Sequence, residues 1–289
     1  MHDNLIILAA GMSSRMKQNT TTNFLTKEEE DQANERSKSL ISVGNDGRPL
    51  LDYLLFNAKK AGYKNIYIVI NEQGTLFYEL YGKEKSNNFH GLSISFAIQY
   101  IAENRIKPFG TADAVFQAVE QFPELNTQQY TICNSDNLYS VKALKLLRET
   151  KNKNAFISYD RDALDFSLEK ILGFAIMNLD TENYLINIIE KPTEKIANKY
   201  KDLFGKIRVS MNIFKFDGKT MFTYLKNCPV NTERNEKELP TVVLNRVHDD
   251  SKAFLGILLS EHVPDLTSKE DINVIRDYLK NEFQNELKW

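Results

Sequence analysis

Three short, uninterrupted apolar runs constrain this chain more than any other feature. Leu5 to Ala9 (LIILA), Ile66 to Ile70 (IYIVI) and Tyr130 to Cys133 (YTIC) string branched and aromatic residues together with little or no polar alternation. A strand facing water on one side alternates, whereas a strand covered on both sides does not. Helices must supply the cover. Residues 50–62 (LLDYLLFNAKKAG) carry leucines at helical spacing and end on Gly62, the expected C-terminal stop. Strand, helix and strand at this spacing predict a right-handed crossover onto a mostly parallel sheet. Residues 94–98 add a strand, and 111–119 (TADAVFQAV) a helix with Thr111 as a candidate cap. The expected fold class is α/β, a doubly wound, mostly parallel sheet over the first 150 residues.

Ligands of such sheets bind beyond the carboxyl ends of the strands, where loops and helix N-termini converge. Three segments fall there: 10–17, 99–112 and 134–139. The first offers Ala10, Gly11, Met12, two serines, Arg15 and Lys17. Exposed amides beside a guanidinium suit a phosphate, although the spacing is neither GxGxxG nor a P-loop. The third places Asp136 just past a buried strand. A carboxylate there either holds a divalent cation or, with Ser135 and Asn137, simply makes a turn or cap. Magnesium on a triphosphate is held by one or two carboxylates, with substrate oxygens completing its shell, so a second acid is expected. Asp265, in HVPDLTSKEDINVI, is the candidate, while Asp271 is explained by the first turn of a helix.

Residues 17–38 are polar and charge-rich, and read as a long mobile loop with a short helix near KEEEDQANE, either ordered by a ligand or a bland surface insertion. Beyond residue 150 the pattern changes to short apolar strands within 155–159, 173–180, 184–192 and 207–217, with turns at 160–172 and 180–183. Helices are expected near 218–227 and 267–281. This part reads as a mixed-sheet annex that extends the sheet and covers one side of its cleft.

A formal net charge of -2 over 289 residues leaves no broad basic field for a nucleic-acid polymer. Cys133 and Cys228 lack paired metal-ligand spacing, as do His2, His90, His248 and His262. The first apolar run is too short for a signal peptide or a membrane span, so a cytoplasmic location is expected.

Taken together, these segments resemble the sugar-1-phosphate nucleotidyltransferases, the nucleoside-diphosphate-sugar pyrophosphorylases, over nearly the full length. The matching stretches are Leu8-Ala9-Ala10-Gly11 with Ser14-Arg15-Met16, then Ser37-Lys38-Ser39-Leu40, GRPLLDYLLFNAKKAGYKNIYIVI, Gln99 with PFGTADAV, the turn at Asp136, KILGFA, and Glu190-Lys191-Pro192. The resemblance implies a Rossmann-like, GT-A-like fold. It also implies magnesium-dependent transfer of a nucleotidyl group from an NTP to a sugar 1-phosphate, giving NDP-sugar and pyrophosphate.

By the same resemblance Leu8, Ala10, Gly11, Met12, Ser13, Gln99, Gly110 and Thr111 bind the nucleotide, Arg15 neutralises the leaving pyrophosphate, and Lys38 contacts the reacting phosphates. Asp113 belongs to the first turn of its helix, with a surface or capping role. Gly173, Glu190, Lys191 and Asn212 take the sugar phosphate, with Lys191 on its phosphate, and Asp136 and Asp265 hold Mg2+. Serine stands at position 37 where the family has proline, and Lys17 competes with Lys38. The family's glycine is absent from Asp265-Leu266-Thr267-Ser268. Residues 1–150 are expected to form the nucleotide half, 151–266 the sugar-phosphate annex and 267–289 a C-terminal helix. No membrane partner is expected, and a homodimer stays open. Cytidylyl transfer to phosphocholine or a polyol phosphate remains the enzymatic alternative, and a catalytically idle nucleotide sensor the non-enzymatic one.

Overall fold

The apolar runs form the centre of the sheet, and the reason is visible in their burial: Leu5, Ile6 and Ile7 are all fully enclosed. A computed structural model describes residues 1–18, 25–44, 47–283 and 287–289. Its strands are β1 (Asn4–Leu8), β2 (Asn65–Ile70), β3 (Asn87–Phe89), β4 (Leu92–Ile98), β5 (Gln129–Asn134), β6 (Asn154–Asp160), β7 (Ile176–Leu179), β8 (Leu185–Ile189), β9 (Arg208–Val209), β10 (Phe214–Asp217) and β11 (Phe254–Leu259). The helices are α1 (Lys27–Glu35), α2 (Leu50–Ala61), α3 (Thr75–Tyr81), α4 (Thr111–Gln121), α5 (Val141–Glu149), α6 (Leu168–Leu172), α7 (Glu194–Ala197), α8 (Gly218–Lys226), α9 (Leu239–Asp249) and α10 (Asp271–Phe283).

The strands make one sheet in the order β3-β4-β2-β1-β5-β10-β6-β9-β7-β8, with β11 beside β6. β4, β2, β1 and β5 run parallel, β10 enters antiparallel, and β6 and β11 return to the first direction. The sheet therefore continues across residue 150. Successive β1 residues serve opposite faces. Leu5 and Ile7 join a core with α2, α5 and α10, whereas Ile6 joins one with α4, α8 and α9. That two-sided cover is why the run does not alternate with polar residues.

The structure departs from the expectations in several places. Within segment 17–38 the expected short helix is present as α1, capped by a reciprocal Thr26–Glu29 box, but it is anchored, with Ala33 buried and Arg276 of α10 paired with Glu29. Residues 19–24 of the expected mobile loop lie outside the described residues. The expected turn at 160–172 contains α6, capped by Ser167. The apolar stretch 207–217 is divided, because Asn212 adopts a left-handed backbone (φ 54°) between β9 and β10. Helix α10 starts at Asp271, whose carboxylate accepts the amides of Thr267 (2.8 Å) and Ser268 (2.7 Å). Helices α3, α5, α7 and α9 are not among the expected elements. In α9 the valines suggest strand propensity, but Leu239, Val242, Val243 and Val247 fall on one buried helical face. No helix among the described residues is long and apolar enough to cross a membrane.

Candidate active site

Strand β1 makes its last sheet-like bond when the Ala9 amide donates to the Val69 carbonyl at 2.8 Å. The chain then leaves the sheet and is re-anchored by the buried Met16, with Ser13 in a left-handed conformation (φ 57°) between the two. Gly11, Met12, Ser14 and Arg15 are left exposed. A Cβ built on Gly11 would meet nothing within 4 Å, so the backbone there borders open space.

The facing wall comes from β4 and α4. Gln99 is buried, and its Nε2 donates to the Gly110 carbonyl (3.0 Å) and to Asp113 Oδ2 (2.9 Å). Gly110 has φ 99°, and a Cβ there would lie 2.4 Å from the Lys237 carbonyl, so only glycine fits. It is Gly110, not Thr111, that stands at the N-cap of α4. Thr111 Oγ1 instead accepts the Leu239 amide at 3.1 Å, satisfying the first turn of α9. Asp113 also corrects an expectation: it sits in the first turn, but its carboxylate orients Gln99 and Gln117 and is not a cap.

Beyond β5 the chain zips against residues 264–266. Leu138 N donates to the Pro264 carbonyl (2.9 Å), Leu266 N donates to the Asp136 carbonyl (2.8 Å), and Asn137 and Asp265 form an antiparallel bridge. These bonds bring the two candidate metal acids together. Lys38 Nζ lies 3.0 Å from Asp136 Oδ2, and Lys170 Nζ lies 3.0 Å from Asp265 Oδ2. Burial raises the Asp136 pKa above the usual carboxylate range; the Asp265 charge pushes the same way and the Lys38 ammonium opposes both. Ser135, Asp136 and Asn137 do not cap α5, because Ser140 does.

Two cavities of small-molecule size meet at this point. One of about 360 Å³ is lined by Leu8, Ala10, Gly11, Met12, Ser13, Gln99, Gly110 and Thr111, together with Lys38. The other, about 660 Å³, is lined by Arg15, Gly173, Glu190, Asn212 and Asp265. Thr111, Asn134, Asp136 and Glu236 border both. Leu8, Ala10, Gly11, Met12, Ser13, Gln99 and Gly110 thus border only the first space and Gly173, Glu190 and Asn212 only the second.

Some candidates fall elsewhere. Arg15 borders the second cavity and not the first. Lys191 is exposed, has φ 41°, and borders neither space. Lys17 is exposed and also borders neither, whereas Lys38 reaches the join. The Gly173 amide is taken by the Lys170 carbonyl (3.1 Å) as α6 ends. His262 Nδ1 accepts the Asp165 amide at 3.0 Å and packs on Phe166, and burial lowers its pKa. Lys107, Lys170, Arg234, Glu236 and Glu238 border the cavities without having been singled out. Lys170 sits in an expected turn and the others in charged or aperiodic stretches, where spacing carries no signal.

The acid pair can be tested against a divalent cation. Among the described residues no three His, Cys, Asp or Glu side chains gather at one point. The protein thus offers two carboxylates, which fits a cation whose remaining oxygens come from substrate phosphates and not a dedicated protein cage.

Comparison with known proteins bears on the fold and the family. The chain can be superposed on a solved UDP-glucose pyrophosphorylase complexed with UDP-glucose at a TM-score of 0.69 with 14% identity, covering 98% of this chain and 100% of that one. At that identity the likeness establishes the α/β nucleotidyltransferase fold. A family model described as "Nucleotidyl transferase" matches residues 30–260, which takes in Lys38, Gln99, Asp136 and Glu190 and leaves the 10–17 loop and Asp265 to the geometry alone. The chain belongs to the nucleotidyl transferase family.

Proposed function

We propose that this protein transfers a nucleotidyl group from an NTP to a sugar 1-phosphate, releasing pyrophosphate and forming an NDP-sugar. The observation that carries this reading is the pair of adjoining cavities that share Asp136. Residues up to 150 would hold mainly the nucleotide, 151–266 mainly the acceptor, and the helix within 267–289 would brace the Asp265 turn. A non-bridging oxygen of the acceptor phosphate attacks the α-phosphorus of the triphosphate. That P–O bond forms as the bond to the bridging oxygen of the β-phosphate breaks, and pyrophosphate leaves with the electron pair. The attacking oxygen is already anionic, so no protein nucleophile or general base is needed. The chain's task is to hold two polyanions in line.

Backbone amides of residues 10–13, which line the first cavity, receive phosphate oxygens, Gln99 and Gly110 shape the base pocket, and Glu190 and Asn212 face the acceptor. Lys38 and Arg15 offset charge that develops as the leaving group departs; one such contact is worth ~3 kcal/mol, or about 10²-fold in rate. Asp136 and Asp265 would hold Mg2+, which supplies charge neutralisation and alignment of the phosphates. Both substrates are water-soluble phosphate esters, which supports a cytoplasmic reaction.

The test is pyrophosphate release with magnesium, each of the four NTPs, and a panel containing sugar 1-phosphates, phosphocholine and polyol phosphates. UTP with glucose 1-phosphate is the first pair, because the solved relative carries UDP-glucose. Release that depends on a sugar 1-phosphate and collapses in Asp136→Asn supports the reading. Release only with a non-sugar phosphate, or nucleotide binding without turnover, overturns it.

A further inference from the structure

We propose that Lys170 is the cation of this chain that receives the acceptor phosphate, and that it rests on Asp265 until a divalent cation takes that carboxylate. The inference rests on the transferase reading above and deepens it at the acceptor subsite.

Lys170 borders the acceptor cavity from α6. Its ammonium lies 3.0 Å from Asp265 Oδ2, 3.3 Å from the Asp265 carbonyl and 3.2 Å from Asp271 Oδ1, with the Phe166 ring 4.4 Å away. Each acid also has another partner. Asp271 accepts the Thr267 and Ser268 amides, and Asp265 Oδ2 also accepts the Thr267 hydroxyl at 2.6 Å. Arg15 also borders this cavity, from the exposed loop after β1, and is assigned above to the leaving group. Lys191 is exposed outside the cavity, and Arg234 is engaged by Glu238 at 2.5 Å and by Glu190 at 3.6 Å.

The same pattern stands on the nucleotide side, where Lys38 is paired with Asp136. Each acid of the candidate metal pair thus holds one lysine. A divalent cation bound by both carboxylates displaces two ammonium groups at the place where the phosphates arrive. Lysine suits this exchange, being a compact charge on a flexible stem that can turn from carboxylate to phosphate without backbone movement. Two consequences follow together. Lys170 opposes metal binding while the acceptor is absent, and favours the acceptor once the metal is present.

Lys170→Met and Lys170→Arg separate this from a purely structural clamp. Manganese affinity is measured by electron paramagnetic resonance on the protein without substrates, and KM for acceptor and NTP is measured separately at saturating partner. In Lys170→Met, manganese should bind about threefold or more tightly and the acceptor KM should rise about tenfold or more, with the NTP KM changing less than about twofold. Lys170→Arg should recover most of the acceptor KM. The proposal is overturned if both KM values move together, or if manganese binding is unchanged or weaker. Should Lys170→Met not fold, Lys170→Gln takes its place in both measurements. A wild-type chain that turns over no sugar 1-phosphate would sink the transferase reading, while unchanged manganese binding in the variant would sink the role of Lys170 by itself.

Discussion

The two ends of the parallel strands are built on opposite rules. At the amino ends polar groups close on each other. Asp3 receives Arg148 (2.7 Å) and Lys64 (3.0 Å), Asn4 Nδ2 donates to Gln128 Oε1 (2.8 Å), and Asn65 Nδ2 donates to Asn4 Oδ1 (2.9 Å). At the carboxyl ends the backbone of Gly11 borders open space and Arg15 makes no ion pair among the described residues. The acids there are each paired with one lysine, Asp136 with Lys38 and Asp265 with Lys170, but the pairs line the cavities. Local satisfaction of polar groups stabilises the first edge; groups left open to a ligand equip the second. A protein that stored its stability at the binding edge would have to break those contacts in order to bind.

Four substitutions or titrations sharpen that contrast, and the largest effect is expected at Asp136. Asp136→Asn should reduce pyrophosphate release by about 10²-fold or more while melting at or above the wild-type temperature, because it removes a desolvated negative charge. A large loss of stability would show that the carboxylate is structural. Next comes Gly110→Ala, which forces a Cβ against the Lys237 carbonyl at positive φ. A loss of about 3 kcal/mol is expected by urea denaturation, with the nucleotide pocket lost alongside.

The third effect belongs to the closed edge. His2 is buried beside Thr131, and its pKa is lowered to about 3, first by burial and then by the positive charges of Lys215, the N-terminus and Arg148. Between that value and about 6.5 the unfolded chain binds more protons than the folded one, so stability is full above the unfolded pKa and falls as pH drops. From pH 7 to pH 5 this one group should withdraw about 2 kcal/mol. His2→Leu should remove that part of the slope in pH-dependent melting without altering KM for either substrate. The smallest effect is the cleanest comparison with Gly110: Gly11→Ala should leave the melting temperature unchanged and weaken nucleotide binding about tenfold, since its methyl group enters only ligand space. Calorimetric titration with the preferred NTP reads it, and unchanged affinity would remove the 10–13 backbone from the site.

What could be read from the sequence followed from short-range rules. Burial on both faces abolishes alternation, so LIIL, IYIVI and YTIC announced buried strands, and the doubly wound rule placed loops 10–17, 99–112 and 134–139 at one edge. Gly62 ended α2 in a left-handed conformation (φ 95°) as its position predicts. Tertiary structure alone decided the partners. Asp136 and Asp265 are far apart in the chain, and only the backbone bonds from Leu138 to Pro264 and from Leu266 to Asp136 bring them to one join. Lys170 and Arg234 lie in aperiodic stretches, so no local spacing distinguishes them from surface charges, and Lys191 carries the familiar Glu-Lys-Pro order yet borders neither cavity. Periodicity is a property of neighbours along the chain and survives in the sequence. Which charge meets which carboxylate depends on side chains brought together by packing from distant segments, and that information appears only when the sheet closes.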